Sequence, residues 1–287
     1  MVVGSNKNKL KLKKDYIFKS ERLGFRNWNE NDLTEFEKLN TDLEVMEYFP
    51  KPLTEKESSE LIERFQKHFD KNGYTYFATE TLENEELIGF VGLAFQEYKS
   101  DFTPAIDIGW RLKKNAWGNG YATEGAKKCL EFAFSELNFE KIIATCTKKN
   151  SKSENVMKKI GMEKIGEFKH PELKEYPEFE KCICYEISKS VWQQHVQLIA
   201  AEFLIIIHCN LFYKYYGGIE LTFNSVAKSY IQTALKSKHT KTKSRSNQDV
   251  KSSKIALALA WVNPPSNVFS FESKKSIFVG CSCNGSP

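Results

Sequence analysis

"RLKKNAWGNGYATEGAKKCLEFAF" occupies residues 111–134, and its reading decides the fold. It leaves a strand-like end at "AIDIGWRL" (105–112), passes Gly118 and Gly120, and enters a stripe of Ala122, Ala126, Cys129, Leu130, Ala133, Phe134 and Leu137. Apolar residues at that spacing predict one amphipathic helix of about four turns. Strand, glycine turn and helix in this order aim several backbone N–H groups and the positive end of a helix dipole at one point, which attracts phosphate. Glycine permits backbone angles and a close approach that a Cβ blocks, so an extended anion such as a pyrophosphate can lie on the main chain. On spacing alone, a tight turn before a helix fits equally well.

Two better-known phosphate loops are excluded. A P-loop needs Gly-x-x-x-x-Gly-Lys-Ser/Thr, whereas Gly120 and Gly125 are followed by Ala126 and Lys127. A dinucleotide fold needs a third small residue and an acid closing the next strand, where this chain has Thr123 and Thr147.

Working outward, "RLGFRNW" from Arg22 alternates as a short strand, and "NENDLTEFEKLN" opens on polar capping residues into a helix. Thr54 with Glu57 three residues on is a capping box, and Leu61, Ile62, Phe65 and Phe69 form the apolar stripe of a second helix. "YTYFATE" (74–80) and "ELIGFVGLAF" (86–95), joined by a polar turn, predict an antiparallel hairpin. "KIIATCT" (141–147) is a strand, "SKSENVMKKI" a short helix stopped by Gly161, and "CICYEI" (182–187) a final strand. The order describes an α/β layered fold on a mixed sheet.

At 287 residues, 41% hydrophobic and 28% charged, the chain has globular composition and room for one large domain or two ordinary ones. Its charge is uneven. Residues 1–188 hold 30 Lys and Arg against 33 Asp and Glu, and residues 189–287 hold 12 against 4. A basic 189–287 segment raises nucleic acid or an anionic membrane as partners, but a solvated or disordered extension is the expectation, with no specific nucleic acid bound. Within it, "KSKHTKTKSRSNQD" (236–249) reads as disordered. The seven cysteines contain no C-x-x-C pair, which argues against a zinc site or a disulfide framework, and no metal is expected. The lysine-rich start (1–19) has no apolar run behind it, so a cytoplasmic protein is expected. The most apolar run, residues 198–212, is shorter than the roughly 20 residues of a membrane span and contains Glu202, His208 and Asn210.

Asn115 to Glu124 resembles the acetyl-CoA loop of the GNAT acyltransferases, Gln/Arg-x-x-Gly-x-Gly/Ala, and more narrowly their RimJ/RimL-like branch of ribosomal-protein N-acetyltransferase type. That branch carries "IGWRL" before the loop, "WGxGYATE" in it and "NxxSxxVMxKxGM" after it. The chain has Ile108 to Leu112, Trp117 to Glu124, and Asn150, Ser153, Val156, Met157, Lys159, Gly161 and Met162. The likeness covers about residues 20–188. Two positions depart from it: Asn115 replaces Gln or Arg, and Cys182 stands where relatives often have a His three residues before the Tyr, here Tyr185.

The resemblance implies a mostly antiparallel mixed sheet flanked by helices, acetyl-CoA as co-substrate, an amine acceptor (a protein N-terminus or a small molecule) and a monomer or homodimer. It implies that strand 105–112 splays from strand 141–147, with pantetheine along Trp110, Arg111 and Leu112 and the pyrophosphate held by Asn115 and by Gly118, Asn119, Gly120, Tyr121 and Ala122. Asp107 stands where relatives often carry an acid and is the candidate base; its competing reading is a solvent-facing strand carboxylate. Asn150 is a CoA contact and Ser153 a group near the sulfur, but Asn and Ser also favour helix capping. Tyr185 and His170 read more readily as packing and a turn than as substrate contacts, Cys182 and Cys184 as buried thiols, and Trp28, Tyr48 and Phe49, in the region that in relatives often covers the acceptor site, more readily as core. A noncatalytic acyl-CoA-binding module would need the same loop.

Overall fold

A computed structural model describes residues 15–201, of which 15–195 form one compact unit. The expectations for the rest of the basic segment, including 236–249 and nearly all of the 198–212 run, lie outside the described residues.

Strands β1 (Phe18–Lys19) and β2 (Leu23–Arg26) are followed by helix α1 (Leu33–Thr41) and helix α2 (Glu55–Asn72). Then come β3 (Tyr76–Thr81), β4 (Leu87–Gln96), β5 (Ala105–Leu112), α3 (Tyr121–Ser135), β6 (Lys141–Thr147), α4 (Ser151–Lys159), β7 (Glu163–Lys169), α5 (Pro177–Glu180) and β8 (Lys181–Ser188). They form one eight-stranded sheet in the order β1-β2-β3-β4-β5-β6-β8-β7, antiparallel except for β5 beside β6. A parallel neighbour requires a crossover, and α3 supplies it. Another helix opens at residue 189, with Val191 and Trp192 against the core.

Local chemistry sets these boundaries. Thr54 and Glu57 form the expected capping box at the start of α2, and Gly73, at φ +76°, ends it. Core packing divides between the two sheet faces. Ile108, Leu112, Cys129, Leu130, Phe134 and Met157 pack on the α3 and α4 side, and Trp28, Phe36, Leu39, Ile62, Phe65 and Phe90 on the α1 and α2 side. Strand β7 has no counterpart in the sequence reading. It is an edge strand whose residues are mostly exposed, so it lacks the apolar alternation that betrays a half-buried strand.

A buried ion network ties the first strands to the segment before α1. Arg26, 8% exposed, donates to both oxygens of Asp32 at 2.7 Å and to Glu80, which also accepts from the Tyr16 hydroxyl at 3.0 Å. Removing one partner of a buried charge cluster strands the others in a low-dielectric interior. Arg26→Met is therefore expected to lower unfolding free energy by about 3–5 kcal/mol in urea titration.

Candidate functional site

The site lies where β5 and β6 part. They share one parallel pairing, Asp107 with Ile143, while β5 stays paired with β4 along its whole length, Val91 facing Trp110, Phe90 facing Arg111 and Gly89 facing Leu112. From Ile108 onward, the β6-facing edge of β5 therefore has no ladder partner in the sheet. Backbone polar groups left unpaired on a strand edge form a row of donors and acceptors for an extended ligand.

At the open end of this edge, Gly118 and Gly120 both adopt left-handed conformations, at φ +78° and +80°. A Cβ on Gly118 would meet nothing within 4 Å, and one on Gly120 only the Arg22 guanidinium at 3.7 Å. Glycine is thus required by backbone angle, not by crowding within the protein, and the space in front is open. Helix α3 starts from Gly120 without a side-chain cap, unlike α2 and α4. The helix start therefore leaves its first N–H groups without a side-chain acceptor, a setting that fits an anion. The loop is braced from behind: the Trp117 indole donates to the Leu112 carbonyl at 2.9 Å, and Asn119 lies 3.3 Å from the Trp117 carbonyl. Asn115 is exposed, and its carbonyl is 3.5 Å from the Asn119 amide.

Two cations that the sequence reading missed stand at this loop. Arg22 lies over the Tyr121 ring at 4.6 Å and pairs with Glu124 at 2.6 Å, and Lys152 lies over the Trp117 ring at 4.6 Å. They arrive from β2's leading turn and from α4, so no local spacing announces them.

Asp107 is not a solvent-facing carboxylate. It is 8% exposed, accepts from the Tyr76 hydroxyl at 2.6 Å and lies 3.2 Å from the Gln96 amide. Burial disfavours its charge and is the largest influence; the Tyr76 and Gln96 hydrogen bonds oppose it, and the carboxyl titrates at about 6. Burial, with Asp107 beside it, holds the Tyr76 phenol protonated. Residues Asp107, Gly109 and Arg111 alternate onto the α1 and α2 face. The Tyr76 ring lies directly over Gly109, where a Cβ would come within 2.9 Å of it. Neither Tyr76 nor Gln96 was a sequence candidate, because both reach Asp107 only through strand pairing.

Arg111 occupies the same face. Its guanidinium sits over Phe49 at 4.1 Å and Phe90 at 5.5 Å and donates to the Asn40 side-chain oxygen at 2.7 Å. Burial pulls its pKa down to about 10, still cationic at neutral pH.

The remaining candidates are placed as follows. Asn150 caps α4, accepting from the Ser153 N–H at 2.9 Å; Ser153 is half-buried beside it. Tyr185 faces α4 and donates to Glu154 at 2.6 Å. His170 caps the turn at Pro171–Leu173, and its ring lies 4.2 Å from that of Tyr98. Burial pushes the Cys182 and Cys184 thiols up to about 11 and 12, which suits inert thiols. Trp28 is core, packed on Phe36 and donating to the Tyr76 carbonyl at 2.6 Å. Among the described residues, no helix is long and apolar enough to cross a membrane.

The family model of the acetyltransferase (GNAT) domain matches residues 22–163. The uncharacterized N-acetyltransferase YnaD of Bacillus subtilis (strain 168) is 33% identical over 151 residues, 52% of this chain and 84% of the relative. The crystal structure of a GNAT-family acetyltransferase from Bacillus anthracis is 28% identical, covers 60% of this chain and 98% of that one, and superposes with a TM-score of 0.49. A protein from Bordetella pertussis assigned to the same family matches with the same coverage at 14% identity and a TM-score of 0.50, a likeness of fold. The chain belongs to the GNAT acetyltransferase family and is an N-acetyltransferase.

Proposed function

We propose that the protein moves an acetyl group from acetyl-CoA to a primary amine, the α-amine of a polypeptide or a small-molecule amine, within one ternary complex and in the manner of the RimJ/RimL-like branch. One observation carries this reading: an uncapped helix behind two left-handed glycines stands at one end of an unpaired strand edge, and a buried carboxyl stands at the other.

Bound acetyl-CoA would supply an activated thioester. The main chain at Trp110, Arg111 and Leu112 would hold its pantetheine arm, and the N–H groups from Gly118 to Ala122 its pyrophosphate, with Asn115 and Asn119 framing the loop. Arg22 and Lys152 flank the loop, each also paired with an acid, Glu124 and Glu47. Asn150 would contribute its amide nitrogen, since its oxygen is committed to the α4 cap. N–H groups on the free edge of β5 are fixed before reaction and are suited to an oxygen on which charge develops.

Asp107 would accept the proton released by the amine, directly or through one water. With a pKa of about 6 it is ionised at neutral pH yet a stronger base than an ordinary carboxylate. Tyr76 and Gln96 fix its orientation. An α-amine, with a pKa of about 8, surrenders its proton more readily than a lysine amine at about 10.4. Ser153, near the start of α4, would stand by the departing sulfur.

Mass spectrometry of an amine and peptide panel incubated with the full chain and acetyl-CoA tests the reading. The expected result is an acetyl increment on a subset of amines; a panel left unmodified at saturating acetyl-CoA would refute it.

A further inference from the structure

The fold holds the two cations that flank the glycine loop in different ways. Arg22 is fixed: its Nε and Nη2 both meet the Glu124 carboxylate, at 2.7 and 2.6 Å, and that carboxylate also accepts from the Ser20 hydroxyl and the Arg22 N–H. Lys152 is held loosely. Its ammonium lies over the Trp117 ring at 4.6 Å, and its one acid partner among the described residues, Glu47, is 3.5 Å away. The two side chains are 60% and 50% exposed, so the pair stands in solvent, where an ion pair is weak.

This weak pair crosses the mouth of the site. Glu47 belongs to the turn between α1 and α2, and Glu44 in the same turn pairs with Lys114. Lys114 follows β5, and Lys152 stands in α4, which follows β6. One turn therefore reaches both lips of the gap between β5 and β6, at the end where the glycine loop lies. Val45 and Met46, between the two acids, are buried and pin the turn to the core. The Glu47 carboxylate is thus presented at the mouth by an anchored backbone, and the side chains are what can exchange partners. A phosphate on the loop would bring charge and several acceptor oxygens to the same ammonium, and a lysine with three rotatable donors can turn from one anion to the other.

We infer that Lys152 is a ligand of a cofactor phosphate and that Glu47 competes with the phosphate for it. The Glu47–Lys152 pair gives way when acetyl-CoA binds and re-forms when CoA leaves, which weakens the hold on both and speeds the exit of the product. This inference rests on the acetyl-transfer reading for the phosphates themselves.

The test is calorimetry on the full chain with CoA and with 3′-dephospho-CoA, in wild type, Glu47→Gln, Lys152→Gln and the double variant. Glu47→Gln is expected to bind CoA about 3- to 10-fold more tightly, and Lys152→Gln to bind it more weakly by a similar factor. The double variant should bind like Lys152→Gln, because Glu47 acts through that lysine. With 3′-dephospho-CoA the gain from Glu47→Gln either persists, which assigns Lys152 to the pyrophosphate, or disappears, which assigns it to the 3′-phosphate; both support the inference. Stopped-flow displacement should show the gain as slower CoA dissociation. A gain that survives in the Lys152→Gln background overturns the inference, making Glu47 a source of general repulsion, and so does a gain confined to association. CoA binding that responds to neither variant refutes this inference alone, whereas a wild-type chain that binds no CoA refutes the acetyl-transfer reading and this inference with it.

Discussion

Gly120→Asp is expected to weaken acetyl-CoA binding about 100-fold or more while the chain stays folded. The substitution places a carboxylate in the open space in front of α3, where a Cβ now meets only Arg22 at 3.7 Å. That carboxylate would take the helix N–H groups and repel phosphate from the same point. The cost to folding is small. The left-handed angle of +80° penalises a side chain by about 1–2 kcal/mol, but Asp tolerates that region and an acid at a helix start recovers part of the loss. Calorimetry of the full chain with acetyl-CoA checks the affinity, and thermal unfolding checks the fold. An unchanged affinity would remove the loop from the site.

Asp107→Asn is expected to lower kcat/KM by about 100- to 10,000-fold at neutral pH. The wild-type profile should rise with pH through an inflection near 6, where Asp107 loses its proton, and the variant should lack that limb. Stability should move the opposite way. The folded carboxyl titrates at about 6, above its ordinary value of 3.8, so its contribution is fully present below pH 3.8 and lost as pH rises through 6. At pH 7 the buried ionised carboxylate therefore costs stability, on the order of 3 kcal/mol. The neutral amide of Asn relieves much of that cost and can still accept from Tyr76. A variant both nearly inactive and more stable at pH 7 than wild type is the signature of a group held for chemistry. Urea titrations at pH 4 and pH 7 check the sign, since the gain should vanish at the lower pH.

What the sequence disclosed follows from how local each signal is. Helix α2 was legible because the Thr54 and Glu57 capping box and the stripe of Leu61, Ile62, Phe65 and Phe69 are local to it, and β6 because a short run of buried apolar residues stands between clear breaks. Strand β7 was not, because an exposed edge carries no apolar period. The glycine loop was legible as a possible anion site, although crowding is not what excludes side chains from it: Gly118 and Gly120 face open space and are glycine for their angles. The surroundings of Asp107 were illegible. Tyr76 lies 31 residues away and arrives through the β3-β4-β5 register, which no linear spacing encodes. Arg111 stood in the quoted stretch as a contact for pantetheine, but its contacts with Phe49 and Asn40 depend on which face of β5 it occupies.

The most direct measurement of the central claim is amine-dependent release of CoA thiol by the full chain, followed together with consumption of acetyl-CoA. The account predicts stoichiometric thiol release that requires an amine and is lost in both Gly120→Asp and Asp107→Asn. Tight acetyl-CoA binding with no thiol released by any amine would contradict it and identify a protein that only holds the acyl-CoA.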